Sequence, residues 1–298
     1  TAGKAHYVLS REGFWSGELA GGAEHGRQAV HWLERAGERW WLAQSHAWWG
    51  INLFQQGDFE AALAQAARAG EIGRALGDVR LESYAAFLSG WFRATRGDWE
   101  AGIRDCTQSL ELSPDPLSRS LARCILGFAY REKGDSALAI EHLGRALEEQ
   151  TAFGYRRNTG MLEAWLGEAH LSAGRLEEAT RHARMALEAG ERMGTRVIQA
   201  VARRALGRIA AAAGDLVQAE AELGEALARF DAAGARFEAG VTHLALAELA
   251  YRREDLGSAE ARLDAAIVLF TLLDAPVYLE RARLLRSGAR VGSGRRAD

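Results

Sequence analysis

Apolar residues recur along this chain at helical spacing, in runs that break and restart about every twenty residues. Ala139, Ile140, Leu143, Ala146 and Leu147 make one run, and Leu162, Trp165, Leu166 and Ala169 make the next. Both follow the i, i+3, i+4, i+7 spacing of one buried helix face. A glycine closes most runs, because it adopts the left-handed conformation that ends a helix at no steric cost. The pattern predicts helix hairpins, two segments of roughly 15 residues and roughly 23 Å each at 1.5 Å per residue. No segment alternates in the manner of a strand.

The turns define a period. Gly57-Asp58, Gly97-Asp98, Gly134-Asp135 and Gly214-Asp215, joined by Gly17-Glu18, Gly174-Arg175 and Glu254-Asp255, stand at successive intervals of 40, 40, 37, 40, 40 and 40 residues. A second row falls halfway between, at Gly37, Gly77, Gly154, Gly194, Gly234 and Asp274, and Ser113-Pro114-Asp115-Pro116 occupies the short interval. Gly50, Gly90, Gly127, Gly167 and Gly207 each precede a turn by seven residues, with Ala247 in the last copy. A glycine inside a helix costs about 0.5–1 kcal/mol relative to alanine, so the row implies close approach of paired helices.

Leu126-Gly127, Tyr130, Gly134-Asp135, Ala139, Leu143 and Ala146 carry most of the signature of the tetratricopeptide repeat (TPR), which the chain resembles over roughly residues 4 to 288. The signature's tryptophan position holds His46, Ala86, Arg123, Glu163, Arg203 and His243 instead. The long period is similar to that of MalT-like TPR regions in bacterial signal-transducing and cyclase-linked ATPases. The resemblance implies an all-α, right-handed αα superhelix of about seven hairpins. The expected bounds are 1–36, 37–76, 77–113, 114–153, 154–193, 194–233 and 234–273, then a capping helix at 277–287 and a flexible tail at 289–298.

Composition narrows the chemistry. The 298 residues carry 37 Lys+Arg against 40 Asp+Glu, a net charge of -3 that gives no field for nucleic acid or an anionic membrane. Cys106 and Cys124 are the only cysteines, which suits a reducing cytoplasm and offers neither a disulfide framework nor a four-ligand zinc site. No run of 18 apolar residues and no signal-peptide pattern occurs. The chain begins at Thr1 rather than methionine, which points to a segment of a longer polypeptide. Phosphate-loop, H-E-x-x-H and nucleophile-elbow motifs are absent, and Glu163 and Glu168 read as carboxylates either solvated or ion-paired with nearby arginines. No catalytic residue, metal or cofactor is expected.

A solenoid offers a concave wall, and in TPRs the first helix of each hairpin lines it. Counting from the small-residue row places Phe54, Tyr84, Phe87, Trp91, Phe128, Arg131, Arg204 and Arg208 on that wall. Aromatic and arginine side chains are common binding anchors. Packing between the long helices of neighbouring repeats would instead set these rings against one another, and tight winding of the superhelix would bury much of the inner wall. Eight of the nine tryptophans lie before residue 100, which suits contact with an upstream domain of the same polypeptide. The expected function is a non-catalytic scaffold holding a protein or peptide in the groove. The alternative is a sensor segment of a signal-transducing ATPase or transcriptional regulator that binds a small molecule such as a sugar.

Overall fold

The computed structural model describes residues 1–294, with side chains to residue 288. Fifteen helices and no strand occur among these residues: α1 (Ala2–Ser16), α2 (Leu19–Arg35), α3 (Arg39–Gln56), α4 (Phe59–Leu76), α5 (Val79–Arg96), α6 (Trp99–Leu112), α7 (Pro116–Lys133), α8 (Ser136–Ala152), α9 (Thr159–Ser172), α10 (Leu176–Arg192), α11 (Arg196–Ala213), α12 (Leu216–Ala233), α13 (Arg236–Arg252), α14 (Leu256–Leu272) and α15 (Pro276–Gly294). The last helix therefore runs past Ser287, where the sequence pattern ended it. Of the tail expected at 289–298, residues 295–298 lie outside the described residues.

The Gly-Asp dipeptides do two jobs. All eleven turn glycines have positive φ, while Glu254 and Asp274 hold the same conformation at φ 60° and 46°. The following aspartate caps the next helix at Asp58, Asp135 and Asp215, as does Asp255 after Glu254, each accepting a hydrogen bond from the backbone N–H three residues on, while Asp98 makes no such bond. Such a cap contributes about 1 kcal/mol. Within each hairpin the small-residue row brings the helices together. A methyl group on Gly90 would lie 3.0 Å from the carbonyl oxygen of Gly102, and one on Gly127 would lie 2.9 Å from the amide nitrogen of Leu143.

Odd-numbered helices touch the next odd-numbered helix and form the inner layer of the superhelix; the even-numbered ones pair with them outside. A repeat array needs contacts only between neighbours, yet this one also closes on itself. Helix α1 touches α11 and α3 touches α13, and Gly97 at the end of α5 faces Val277 of α15. The first two hairpins thus meet the sixth and seventh, and the third meets α15. The seam is held by Arg96 with Asp274, Arg157 with Glu12 at 3.1 Å, and the rings of Phe59 and Phe237, 5.6 Å apart.

Candidate functional site

The inner wall is divided by chemistry. The position one residue after the small-residue row reads, from α3 to α13, Ile51, Trp91, Phe128, Glu168, Arg208 and Glu248. Its first half is apolar and its second half charged.

In the apolar half the wall is filled. Phe54 packs on Phe92 at 4.6 Å and Trp91 at 4.8 Å, Trp91 lies 6.2 Å from Phe87, and Tyr84 stacks on Phe87 at 5.4 Å. Phe54, Phe87 and Trp91 are buried. Burial also pushes the Tyr84 hydroxyl pKa upward. These four expected anchors therefore pack against one another, and Tyr84, Phe87 and Trp91 border a cavity of only about 80 Å³ with Phe14, Trp15 and Trp165. These contacts join α3 to the neighbouring α5, and Phe54 is continued across the seam through Phe59 and Phe237 to Tyr278 by rings 5.7, 5.6 and 4.9 Å apart.

The charged half is open. Phe128, Arg131, Arg204 and Arg208, the other four expected residues, line one cavity of about 340 Å³ between α7, α9, α11, α13 and α15. Trp165, Phe237, Val241 and Leu244 supply its apolar surface, and Glu132, Glu168, Glu238, Glu248 and Arg281 complete its charges. A second cavity of about 260 Å³ adjoins it, sharing Arg208, Ala245 and Glu248, and continues toward Leu171 and Arg252. The two form one elongated channel.

A ladder of ion pairs crosses the channel wall. Arg131 pairs with Glu132 at 2.5 Å and also with Glu168. Glu168 is further approached by Arg204 at 3.7 Å and Arg208 at 3.3 Å. Arg204 also pairs with Glu238. At the other end Glu132 accepts a hydrogen bond from the Tyr278 hydroxyl, and its backbone carbonyl accepts one from Arg281 at 2.9 Å. Glu168 is buried and ion-paired with arginines, the second of the two states expected for it. Burial alone would raise the Glu132 carboxyl pKa, but Arg131, the Tyr278 hydrogen bond and Arg281 outweigh it and hold the group below its usual range. Four arginines thus face the three glutamates Glu132, Glu168 and Glu238, and a buried set of charges is tolerable only when so paired.

This arrangement suits recognition by charge and shape. The two thiols sit away from the channel's charges and are protonated, burial pushing Cys124 up to about 12 and Cys106 well above its ordinary value. His182 hydrogen-bonds Glu163 at 2.6 Å inside the α9–α10 hairpin, so Glu163, expected to be solvated or paired with arginine, is buried against a histidine instead. No group of three or more side chains suited to a metal ion occurs among the described residues. Nor is any helix there long and apolar enough to cross a membrane. Sequence spacing did not single out Glu132, Glu238, Glu248, Tyr278 or Arg281 for the site. Only Glu248 carries a signal there, standing forty residues after Arg208 on the same row.

The sequence matches no family model and no curated protein. In structure the chain is similar to the Rap conjugation gene regulator of plasmid pLS20 in complex with a Phr peptide, with a TM-score of 0.76 and 13% identity over 90% of this chain and 73% of that one. It is similar also to a Rap protein complexed with competence and sporulation factor, with a TM-score of 0.69 and 16% identity over 95% and 80% of the two chains. NprR in complex with its cognate peptide NprX gives a TM-score of 0.65 and 16% identity over 91% and 84%. At such identities the likeness establishes the fold, a TPR-like helical-repeat superhelix.

Proposed function

We propose that this chain is a peptide-binding regulatory scaffold, and that a short linear peptide lies in the charged channel between α7, α9, α11, α13 and α15. The observation that carries the reading is the channel itself. Two adjoining cavities share Arg208, Ala245 and Glu248, run along the inner helices, and offer both an apolar floor and charged walls. An extended peptide needs such a combination, with burial for its side chains and hydrogen-bonding groups for its backbone. The solved structures of similar fold that contain bound peptides add weight to it.

The anchors in this reading are Phe128, Arg131, Arg204 and Arg208, and the aromatic cluster around Trp91 supports the wall instead of touching the partner. Selection of displayed random peptides against the immobilised protein tests the reading. A consensus peptide should emerge, raise the melting temperature of the wild type as a ligand of the native state must, and lose binding in Ala245→Trp, which places a large ring in the shared segment of the channel. Absence of a consensus, or equal binding by Ala245→Trp, would refute it.

A further inference from the structure

The channel's arginines are not equivalent. The Arg131 and Arg204 side chains are 8% and 4% exposed, and each is held by two carboxylates, Glu132 and Glu168 for the first and Glu168 and Glu238 for the second. The Arg281 guanidinium is clamped between the Trp99 and Tyr278 rings at 5.4 and 4.9 Å and bonded to Glu132. Arg208 is different on every count. Its side chain is 39% exposed and its one ion-pair partner is Glu168, at 3.3 Å. It also borders both cavities. A guanidinium has five donors in a planar fork that matches a carboxylate, and here one is used.

The local balance of charge points the same way. Three guanidinium groups converge on the single carboxylate of Glu168. Two of them have a second acid within ion-pair distance, whereas the second acid acting on Arg208, Glu248, stands beyond that distance. Glu248, the next member of the row, acts on Arg208 from beyond ion-pair distance, is exposed, and borders both cavities. An added negative group is therefore best accommodated at Arg208, with Glu248 left to face a basic group of the same ligand.

Resting on the peptide reading above, we propose that Arg208 takes a carboxylate of the bound peptide, drawing its guanidinium away from the crowded Glu168. The carboxylate is either the peptide's C-terminus or an Asp or Glu side chain, and one experiment separates these sources. Three synthetic pools of short random peptides are passed over the protein, and the retained peptides are read by mass spectrometry. The first pool has free C-termini and no Asp or Glu, the second has amidated C-termini with Asp and Glu included, and the third is amidated and lacks both residues.

The proposal expects retention from the first pool if the terminus is read, from the second if a side chain is read, and none from the third. Arg208→Gln should weaken the retained peptides about ten- to hundredfold, the worth of a charged hydrogen bond, while its circular-dichroism melt shows the helices intact. Retention from the third pool equal to the others overturns the proposal and leaves the peptide reading standing, as does unchanged binding by Arg208→Gln. Retention from no pool overturns both.

Discussion

Phe59, the first residue of α4, meets Phe237 of α13 edge-on, with ring centroids 5.6 Å apart and planes 79° apart. The contact joins the second hairpin to the seventh, across one full turn of the superhelix. Both rings are buried, and Phe237 goes on to touch Phe270 and Tyr278 at 6.1 and 4.9 Å. The seam therefore converts a chain of nearest-neighbour contacts into a closed unit.

That closure should be measurable as coupling. Phe59→Ala and Phe237→Ala, taken singly, should each cost about 3–5 kcal/mol, as for other buried phenylalanines. The double variant should cost less than their sum by about 0.5–1.5 kcal/mol, the range for an aromatic pair. Urea denaturation of the four proteins checks it, and strict additivity would mean the seam is open in solution.

Glycines of the same helical type should respond in opposite ways. Gly127→Ala would place a methyl group 2.5 Å from Leu143 Cγ and 2.9 Å from its amide nitrogen, and backbone cannot yield cheaply, so a loss of about 1–3 kcal/mol is expected. Gly144, on α8, would carry a methyl group with no other atom within 4 Å. Gly144→Ala should stabilise by about 0.5–1 kcal/mol through helix propensity alone. Midpoints of denaturant unfolding distinguish the two.

The last turns of the array hold non-glycine residues in the left-handed region, Glu254 at φ 60° and Asp274 at φ 46°. Asp274 is retained by its pairing with Arg96 across the seam. Glu254→Gly should relieve the strained backbone and raise stability by up to about 1 kcal/mol, read as an upward shift in melting temperature. A lower melting temperature would show that the Glu254 side chain contributes more than its backbone conformation costs.

Acid should weaken the ladder from the Glu132 end. A carboxylate whose folded pKa is depressed contributes stability above its unfolded pKa and loses it as the pH falls through the folded value. Glu132 is held below 4.5, so its contribution should be complete at neutral pH and fade progressively below about pH 4.5. Glu132→Gln should accordingly be less stable than the wild type at pH 7, with the two unfolding curves converging in acid. A constant gap across that range would contradict the assignment.

How much of this could be read from the chain depends on how local the cause is. The hairpins follow from Gly57-Asp58 and its repeats, because both the left-handed turn and the aspartate cap act within a few residues. The inner row containing Phe128, Glu168 and Arg208 is likewise a matter of fixed spacing. The packing of Phe59 on Phe237 is not, since it depends on rotation accumulated over five hairpins, and no neighbouring residue encodes that sum. Tyr278 and Arg281 escape sequence reasoning for the same reason: they reach Glu132 only because the superhelix returns α15 to α7.

The channel is where a peptide is expected to lie, and amide hydrogen exchange with a selected peptide tests that most directly. Added protection is expected in Thr159–Ser172, Arg196–Ala213 and Arg236–Arg252, the inner helices α9, α11 and α13 that border both cavities. Protection confined to the outer helices α10, α12 and α14, with the inner ones unchanged, would contradict it.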